Sequence, residues 1–239
     1  MGIVEKAVIL VADGVLGNPV AKAGQYQSLD ILAKRSQSGY LSTFSDCNDT
    51  ITQLTGVNYH TVDFILKDYG PMKISILKKK STYNSSLGNV EEINDLSEDQ
   101  IFQKIDDKLK EYSVIVVEIS TLNELDHIVS KLLPKIDADN VGVCVICGYA
   151  KDATLPNFTV PPPVVDPSWK VIGPDVVDKL SLEHPFLFFS ASKNLTRIDK
   201  VQAFDEKDFE NNNCMGILPI CQLFREYSYY TGSSWKYGA

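Results

Sequence analysis

Short apolar runs alternate with amphipathic stretches, most regularly in the first two thirds of the chain. Five apolar runs predict buried β-strands, because each is too brief for a helix and several are rich in β-branched residues. These runs are residues 7–12, 73–77, 113–119, 141–147 and 184–190. The clearest is SVIVVEI at 113–119, where five of the seven residues are β-branched and apolar.

The amphipathic stretches predict helices, since their apolar residues recur at helical spacing. The helix predicted for 98–110 follows Ser97, which belongs to a residue type preferred at the N-cap. Further helices are predicted at 28–37, 50–55, 122–135 and 214–230, the last interrupted by Pro219. Strands and helices in this order and spacing are typical of right-handed parallel crossovers. We therefore predict a three-layer α/β/α fold with a mainly parallel central sheet.

Two stretches depart from the alternation. Residues 78–99 are polar with few large apolar side chains, which predicts a solvated loop. Residues 151–180 are rich in proline, which can neither donate to a strand ladder nor continue a helix, so we expect an extended excursion. No internal repeat is evident, and we predict one domain over residues 1–239.

Composition narrows the functional classes. The net charge is −8, which repels phosphate backbones and anionic lipid, so we expect neither nucleic-acid nor membrane-surface binding. No run of apolar residues is long enough to span a bilayer, and Glu5 and Lys6 precede a short apolar run that does not resemble a signal peptide. Five cysteines, an odd number, indicate reduced thiols. We expect a cytoplasmic protein, and a protein partner stays open.

The stretch VILVADGVLGNP raises the first chemical question, because an apolar strand runs directly into Asp13 and Gly14. The carboxyl end of a parallel strand is where doubly wound sheets place their chemistry. Asp-Gly is also a common turn dipeptide, so Asp13 alone is compatible with a turn or a helix cap. The surrounding residues decide between these interpretations.

The opening of the chain resembles the alkaline phosphatase superfamily. The resemblance rests on Asp13-Gly14-Val15, Gly17-Asn18-Pro19, the Gly24 turn and SLDILAKRSQSGYLS. The nearest branch is the cofactor-independent phosphoglycerate mutases, and DPSWKVIG, LTRIDKVQAFDE and WKYGA are similar to a poorly characterised eukaryotic alkaline-phosphatase-like family. The resemblance implies an alkaline-phosphatase-like core. The domain that those mutases insert after the nucleophile is missing here, since 78–99 is too short to contain it.

The resemblance also implies site residues. It places Asp13 among the ligands of two divalent metals, and SVIVVEISTLNELDH puts His127 on the histidine of a second metal motif. His184, before an apolar strand, matches a late metal histidine, although a strand-edge histidine is the favoured explanation of this position. The nucleophile falls near Cys47 or Thr50, at a helix start that favours a developing anion. In an active enzyme the cofactor would be zinc, manganese or magnesium. We expect Asp13, Cys47, Thr50 and His127 to converge in one cleft.

Several positions depart from the family pattern. Asn123 stands where the family has a metal-binding Asp, and Gly148-Tyr149 stands where it has Asp-His. Only three histidines are present, few for a two-ion cage. Cys47 lacks the sulfatase modification signal and is otherwise an ordinary thiol in a polar turn. Cys144 and Cys147, three apart on a strand, point to opposite faces, which disfavours a redox or zinc site.

Two functions follow. The first is a degenerate alkaline-phosphatase-like pseudoenzyme that serves as a binding or scaffold module. The second is a metal-dependent phosphoesterase or phosphomutase-like hydrolase with a reduced site built from Asp13, Thr50, His127 and His184. A Rossmann-like nucleotide binder is disfavoured, because no glycine-rich phosphate motif follows any predicted strand. We also expect Trp235 and Tyr237 to be docked, since aromatic burial can hold a short tail in place. Docking on this domain is the favoured version, and insertion into a partner chain is the alternative.

Overall fold

The computed structural model describes residues 4–17, 21–44, 49–55, 70–79, 88–156, 171–172, 175–176, 180–195 and 198–234. Cys47, Trp235 and Tyr237 lie outside the described residues, so the expectations for them stay predictions. The described helices are α1 (Gln27–Lys34), α2 (Thr50–Thr55), α3 (Glu98–Lys108), α4 (Leu122–Ala138), α5 (Glu206–Asn212) and α6 (Ile220–Tyr230).

The strands build one large sheet and one small ribbon. They are β1 (Lys6–Leu16), β2 (Gln37–Phe44), β3 (Ile74–Lys78), β4 (Asn89–Glu92), β5 (Val114–Ile119), β6 (Val141–Tyr149), β7 (Val171–Ile172), β8 (Asp175–Val176), β9 (Leu180–Ala191) and β10 (Ile217–Pro219). The eight-stranded sheet has the order β10-β2-β9-β6-β1-β5-β3-β4, and β7 and β8 pair separately. Among the strands that the structure describes in the large sheet, only β9 runs antiparallel to its neighbours. The predicted α/β fold with a mainly parallel sheet is confirmed.

Alternate residues of β1 supply both faces of the core. Val8, Leu10 and Ala12 join the apolar cluster under α1, α3, α4 and α5, whereas Ile9 and Val11 join the cluster under α2 and α6. All five side chains are buried, as expected for a central parallel strand covered on both faces. We call these layers the α4 face and the α2 face. Because side chains alternate along a strand, each residue at the strand ends can be assigned to one of them.

The start of α3 has a capping pattern that is visible in the sequence. Ser97 accepts a hydrogen bond from the Gln100 backbone N–H, and the Gln100 side chain accepts from the Ser97 backbone N–H. This reciprocal capping box satisfies two N–H groups that a helix start leaves without a partner. It confirms the predicted start of α3.

Three details of the sequence interpretation are corrected. The helix predicted for 28–37 ends at Lys34, and Gln37 begins β2. The polar side chain of Ser38 in this strand is buried and donates a hydrogen bond to Asp199. The loop predicted for 78–99 contains β4, which pairs with β3. Pro219 does not interrupt a helix but precedes α6 as its N-cap, since proline is tolerated where no helical N–H is needed. Among the described residues, no helix is both long and apolar enough to cross a membrane.

Candidate functional site

The carboxyl ends of β3, β5, β1 and β6 meet at one edge of the sheet, because these neighbouring strands are parallel. Val11 pairs with Glu118 in the strand register, and Lys78 directly follows Leu77, the partner of Val117. Alternation places Lys78, Glu118 and Val11 on the α2 face. Asp13 lies two residues beyond Val11. A small open cleft at this edge is lined by Val11, Asp13, Asp49, Thr50, Ile51 and Glu118.

Thr50, the first residue of α2, connects that helix to the strand edge. Its side-chain Oγ1 donates a hydrogen bond to Asp13 Oδ2 at 2.9 Å. Thr50 is buried, whereas Asp13 is exposed at the mouth of the cleft. The predicted proximity of Asp13 and Thr50 is therefore confirmed.

Asp49 lies directly before α2 and forms an ion pair with Lys78. Its Oδ2 accepts from the Thr52 backbone N–H at 2.8 Å, and its Oδ1 lies 2.5 Å from Lys78 Nζ. Burial raises the pKa of the Asp49 carboxyl, but hydrogen bonds from Lys78 and Thr52 outweigh that effect and hold the pKa below its ordinary value. Lys78 is only 5% exposed. The pair therefore brings a buried ammonium to the edge of the cleft.

Glu118 and Lys79 link the two faces of the sheet. Glu118 Oε2 accepts from the Lys79 backbone N–H at 2.9 Å. The Lys79 side chain turns to the α4 face, where its Nζ lies 2.7 Å from both carboxylate oxygens of Glu124. The side chains of Lys78 and Lys79 thus lie on opposite faces of the sheet, as strand alternation requires.

Gly148 lies beneath the Asp13 carboxylate. A Cβ on Gly148 would meet Asp13 Oδ1 at 2.2 Å and Phe186 Cε1 at 2.7 Å, so no side chain fits there without displacement. The next residue, Tyr149, belongs to the core of the α4 face, and burial raises the pKa of its phenol. Neither residue of this pair presents a metal-binding group to the cleft.

His127 does not lie with Asp13. It is on α4, where its Nε2 is 2.9 Å from Asp99 Oδ1 of α3. Asp13 contacts α2, on the other face of the sheet. The expected convergence of these two residues is therefore not found, because the LNELDH stretch continues as a surface helix instead of turning toward the strand edge. Asn123, in the same helix, is exposed.

His184 lies at the same edge of the sheet as Asp13. It precedes Phe186, which pairs with Gly148, and its imidazole is exposed while its backbone carbonyl accepts from Thr43 Oγ1 at 3.1 Å. Its proposed role as a metal ligand stays a prediction. Cys144 and Cys147 lie in the cores of opposite faces, which confirms the interpretation of their spacing.

We tested whether the described residues fit the two divalent ions that the resemblance implies. Within the described part of the chain, no group of three His, Cys, Asp or Glu side chains is arranged to hold a metal ion. The Asp13 carboxylate accepts from Thr50, and Asp49 is paired with Lys78. These residues do not fit a two-ion cage. What the cleft does offer is exposed carboxylate oxygen beside a buried hydroxyl.

Sequence reasoning missed three residues of this site, Asp49, Lys78 and Glu118, and it identified Gly148 only as a departure from the family pattern. Glu118 is the only charged residue in the SVIVVEI run, and a carboxylate near the end of a central parallel strand is a usable signal. The burial of Lys78 could not be predicted, because this residue begins the polar stretch 78–99. The contact between Gly148 and Asp13 had no sequence signal, because it depends on how two strands far apart in the chain pack.

Comparisons with known proteins place the fold. No protein-family model matches the chain, and no curated protein matches it. Among solved structures, it is similar to the PH0037 protein from Pyrococcus horikoshii, with a TM-score of 0.68, 11% identity and 100% of both chains covered.

Two further structures are similar over most of the chain. A cofactor-independent phosphoglycerate mutase from Thermoplasma acidophilum gives a TM-score of 0.51 at 9% identity, covering 92% of this chain and 98% of that chain. Ps i-CgsB, solved in complex with a neocarrahexaose, gives 0.53 at 8% identity, covering 98% and 73%. Identities this low establish the fold alone. The chain has an α/β fold of the alkaline-phosphatase-like type.

Proposed function

We propose that this chain is a pseudoenzyme, a binding or scaffold module on an alkaline-phosphatase-like fold, with little or no phosphoester hydrolysis. The observation that carries the proposal is the contact between Gly148 and Asp13. Where the resemblance expects an Asp-His pair, the chain has Gly148 and Tyr149, and the Asp13 carboxylate fills the space above Gly148. A second-ion ligand at that position would need room that Asp13 already occupies.

The chemistry of phosphoryl transfer explains why this matters. Two cations in such sites stabilise the attacking and leaving oxygens, and losing one costs several kcal/mol of barrier. Thr50 offers a hydroxyl, but a hydroxyl at neutral pH is a weak nucleophile unless a base or a cation activates it. Asp13 accepts the Thr50 hydrogen bond, yet no histidine accompanies it among the described lining residues of the cleft.

The alternative is a metal-dependent phosphoesterase or phosphomutase-like hydrolase with a reduced site. The contact between Thr50 and Asp13 favours it, because it sets a hydroxyl beside a carboxylate that could hold one zinc, manganese or magnesium ion. His184, at the same edge of the sheet, is its candidate second ligand. His127 contributes little to this alternative, because it pairs with Asp99 on the α4 face.

We extend the proposal to the cellular location of the protein and to the class of molecule that it binds. The cysteines of the described residues are free thiols, which supports a reducing, cytoplasmic location. A protein is the partner class that we propose, since the net charge of −8 disfavours nucleic acid and anionic lipid.

Metal content separates the two functions. We would purify wild type and Asp13→Asn without chelator and measure bound zinc, manganese and magnesium by mass spectrometry of the elements. The proposal predicts far less than one ion per chain in wild type, with no difference in the variant. A stoichiometric ion in wild type that Asp13→Asn loses would establish the alternative instead, because ligand removal releases a resident ion.

A further inference from the structure

The cleft brings together three carboxylates and one buried cation. Asp13, Asp49 and Glu118 line it, and Lys78 reaches it through Asp49. Resting on the proposed function, we infer that the Lys78 ammonium stands in for a divalent cation, so that the protein neutralises this cleft with its own side chain. The inference assigns Lys78 the role of neutralising the carboxylates of the cleft, a role that the resemblance does not imply.

The strand register supports this assignment. Lys78 lies beside Glu118 across the parallel pair of β3 and β5, and both side chains point to the α2 face. The Asp49 carboxylate approaches from the start of α2 and meets Lys78 Nζ at 2.5 Å. The Lys78 ammonium thus extends from the strand next to Glu118 and pairs with the residue directly before the helix that carries Thr50.

Because the Lys78 ammonium is buried, its charge strongly affects the neighbouring carboxylates. Lys78 is 5% exposed, and its side chain is far less accessible than that of Asp49, at 6% against 38%. Removing one partner of a buried ion pair leaves the other charge uncompensated, and that is strongly unfavourable. A lysine ammonium is a compact point charge, so it can replace a small cation electrostatically without copying its coordination geometry.

Lys79 provides a matched comparison within the same run. It carries the same charge one residue later, but its ammonium pairs with Glu124 on the α4 face. Its loss would remove a partly buried ion pair without uncovering the cleft. A cation effect specific to the cleft must therefore depend on Lys78 and not on Lys79.

The experiment measures Mn²⁺ binding by electron paramagnetic resonance, and thermal stabilisation by Mn²⁺, in wild type, Lys78→Met and Lys79→Met. We expect Lys78→Met to bind Mn²⁺ at least about tenfold more tightly than wild type, because carboxylate charge sets affinity for such ions. Lys79→Met should match wild type. Adding Asp49→Asn to Lys78→Met should abolish the gain. Equal Mn²⁺ binding by wild type and a folded Lys78→Met would overturn the inference.

A second variant keeps the test decisive if Lys78→Met does not fold alone. Lys78→Gln retains a donor for Asp49 but no charge, and it should show the same gain of Mn²⁺ binding; an unchanged affinity would contradict the inference. Failure of the inference is distinguishable from failure of the proposed function. If the inference fails, neither wild type nor the Lys78 variants bind Mn²⁺. If the proposed function fails, wild type already binds a stoichiometric ion through Asp13.

Discussion

Gly148 supports the Asp13 carboxylate so closely that a methyl group on its α-carbon would come within 2.2 Å of Asp13 Oδ1. The strand carrying Gly148 pairs directly with β1, and Asp13 lies in β1 where the pairing register shifts between Ala12 and Leu16. The two residues therefore form one unit at the edge of the sheet, and the absence of a side chain at 148 allows Asp13 to lie where Thr50 can reach it.

Gly148→Ala tests this relationship. The new Cβ would also lie 2.7 Å from the buried ring of Phe186, so we expect a loss of unfolding free energy of about 1–3 kcal/mol through overpacking. Asp13 should turn away from Thr50. Urea denaturation measures the first effect and a crystal structure the second. Gly142→Ala, on the same strand, is the control, because the nearest atoms to its Cβ would be Val4 side-chain carbons at 3.3 Å and 3.5 Å and the Lys6 backbone oxygen at 3.7 Å. Equal stability of the two variants would contradict the account.

Stability at low pH should depend on Asp49. Hydrogen bonds from Lys78 and Thr52 outweigh burial and hold the pKa of this carboxyl below its ordinary value of 3.8. The folded state thus favours the charged form, so the stabilisation is present above that value and is lost as the pH falls through the folded pKa. Asp49→Asn should flatten the acid limb of a plot of melting temperature against pH. Glu5→Gln, at an exposed site, controls for net charge, and an acid limb unchanged by Asp49→Asn would refute the assignment.

Glu206 should act in the opposite direction. Burial raises the pKa of its carboxyl, although the backbone N–H groups of Ala21 and Gly17 donate to it and oppose the shift. Its contribution is fully present below the ordinary value of 4.5 and is lost as the pH rises through the folded pKa. Glu206→Gln keeps an acceptor for both N–H groups, so its melting temperature should stay level over this range where that of wild type falls. A parallel decline in the two proteins would be inconsistent with this explanation, and exposed Glu111→Gln is the control.

The buried thiols should resist alkylation in the native state. Burial raises the pKa of the Cys144 thiol to about 12 and that of Cys221 to about 11, and it raises the pKa of Cys147 well above its ordinary value. Thiolate is the reactive form, so these three residues should react with iodoacetamide only after unfolding. Peptide mass spectrometry before and after urea measures this, with partly exposed Cys214 as the internal positive control. Rapid native labelling of Cys144 would show that the core packing is wrong.

The sequence predicted the parts of the fold that rest on local pattern. Runs such as SVIVVEI are buried on both faces and became β5, and Ser97 capped α3 as expected. β2 was missed because buried Ser38 and Ser42 interrupt its apolar pattern, and the hydrogen bond of the Ser38 hydroxyl goes to Asp199, far along the chain. The antiparallel direction of β9 has no local signal at all.

The site was predictable only at Asp13 and Thr50, because Asp13 follows the apolar run 7–12 and Thr50 begins a helix, and both are local features. His127 was expected beside Asp13 because its spacing from the preceding strand matched a motif. The α4 helix instead carries it to Asp99 on the other face. Lys78 could not be distinguished from solvated lysines, since its burial depends on α2 packing over the sheet.

The measurement that tests the central claim most directly is turnover of p-nitrophenyl phosphate and phosphoglycerate by wild type, with added manganese, zinc or magnesium. Asp13→Asn and Thr50→Val serve as comparisons, because they remove a carboxylate and a hydroxyl of the cleft. The account predicts no metal-stimulated hydrolysis above the rate of these two variants, since Gly148 stands where the resemblance expects a metal-binding Asp and the Asp13 carboxylate fills the space above it. Metal-stimulated hydrolysis by wild type that both variants lose would contradict it.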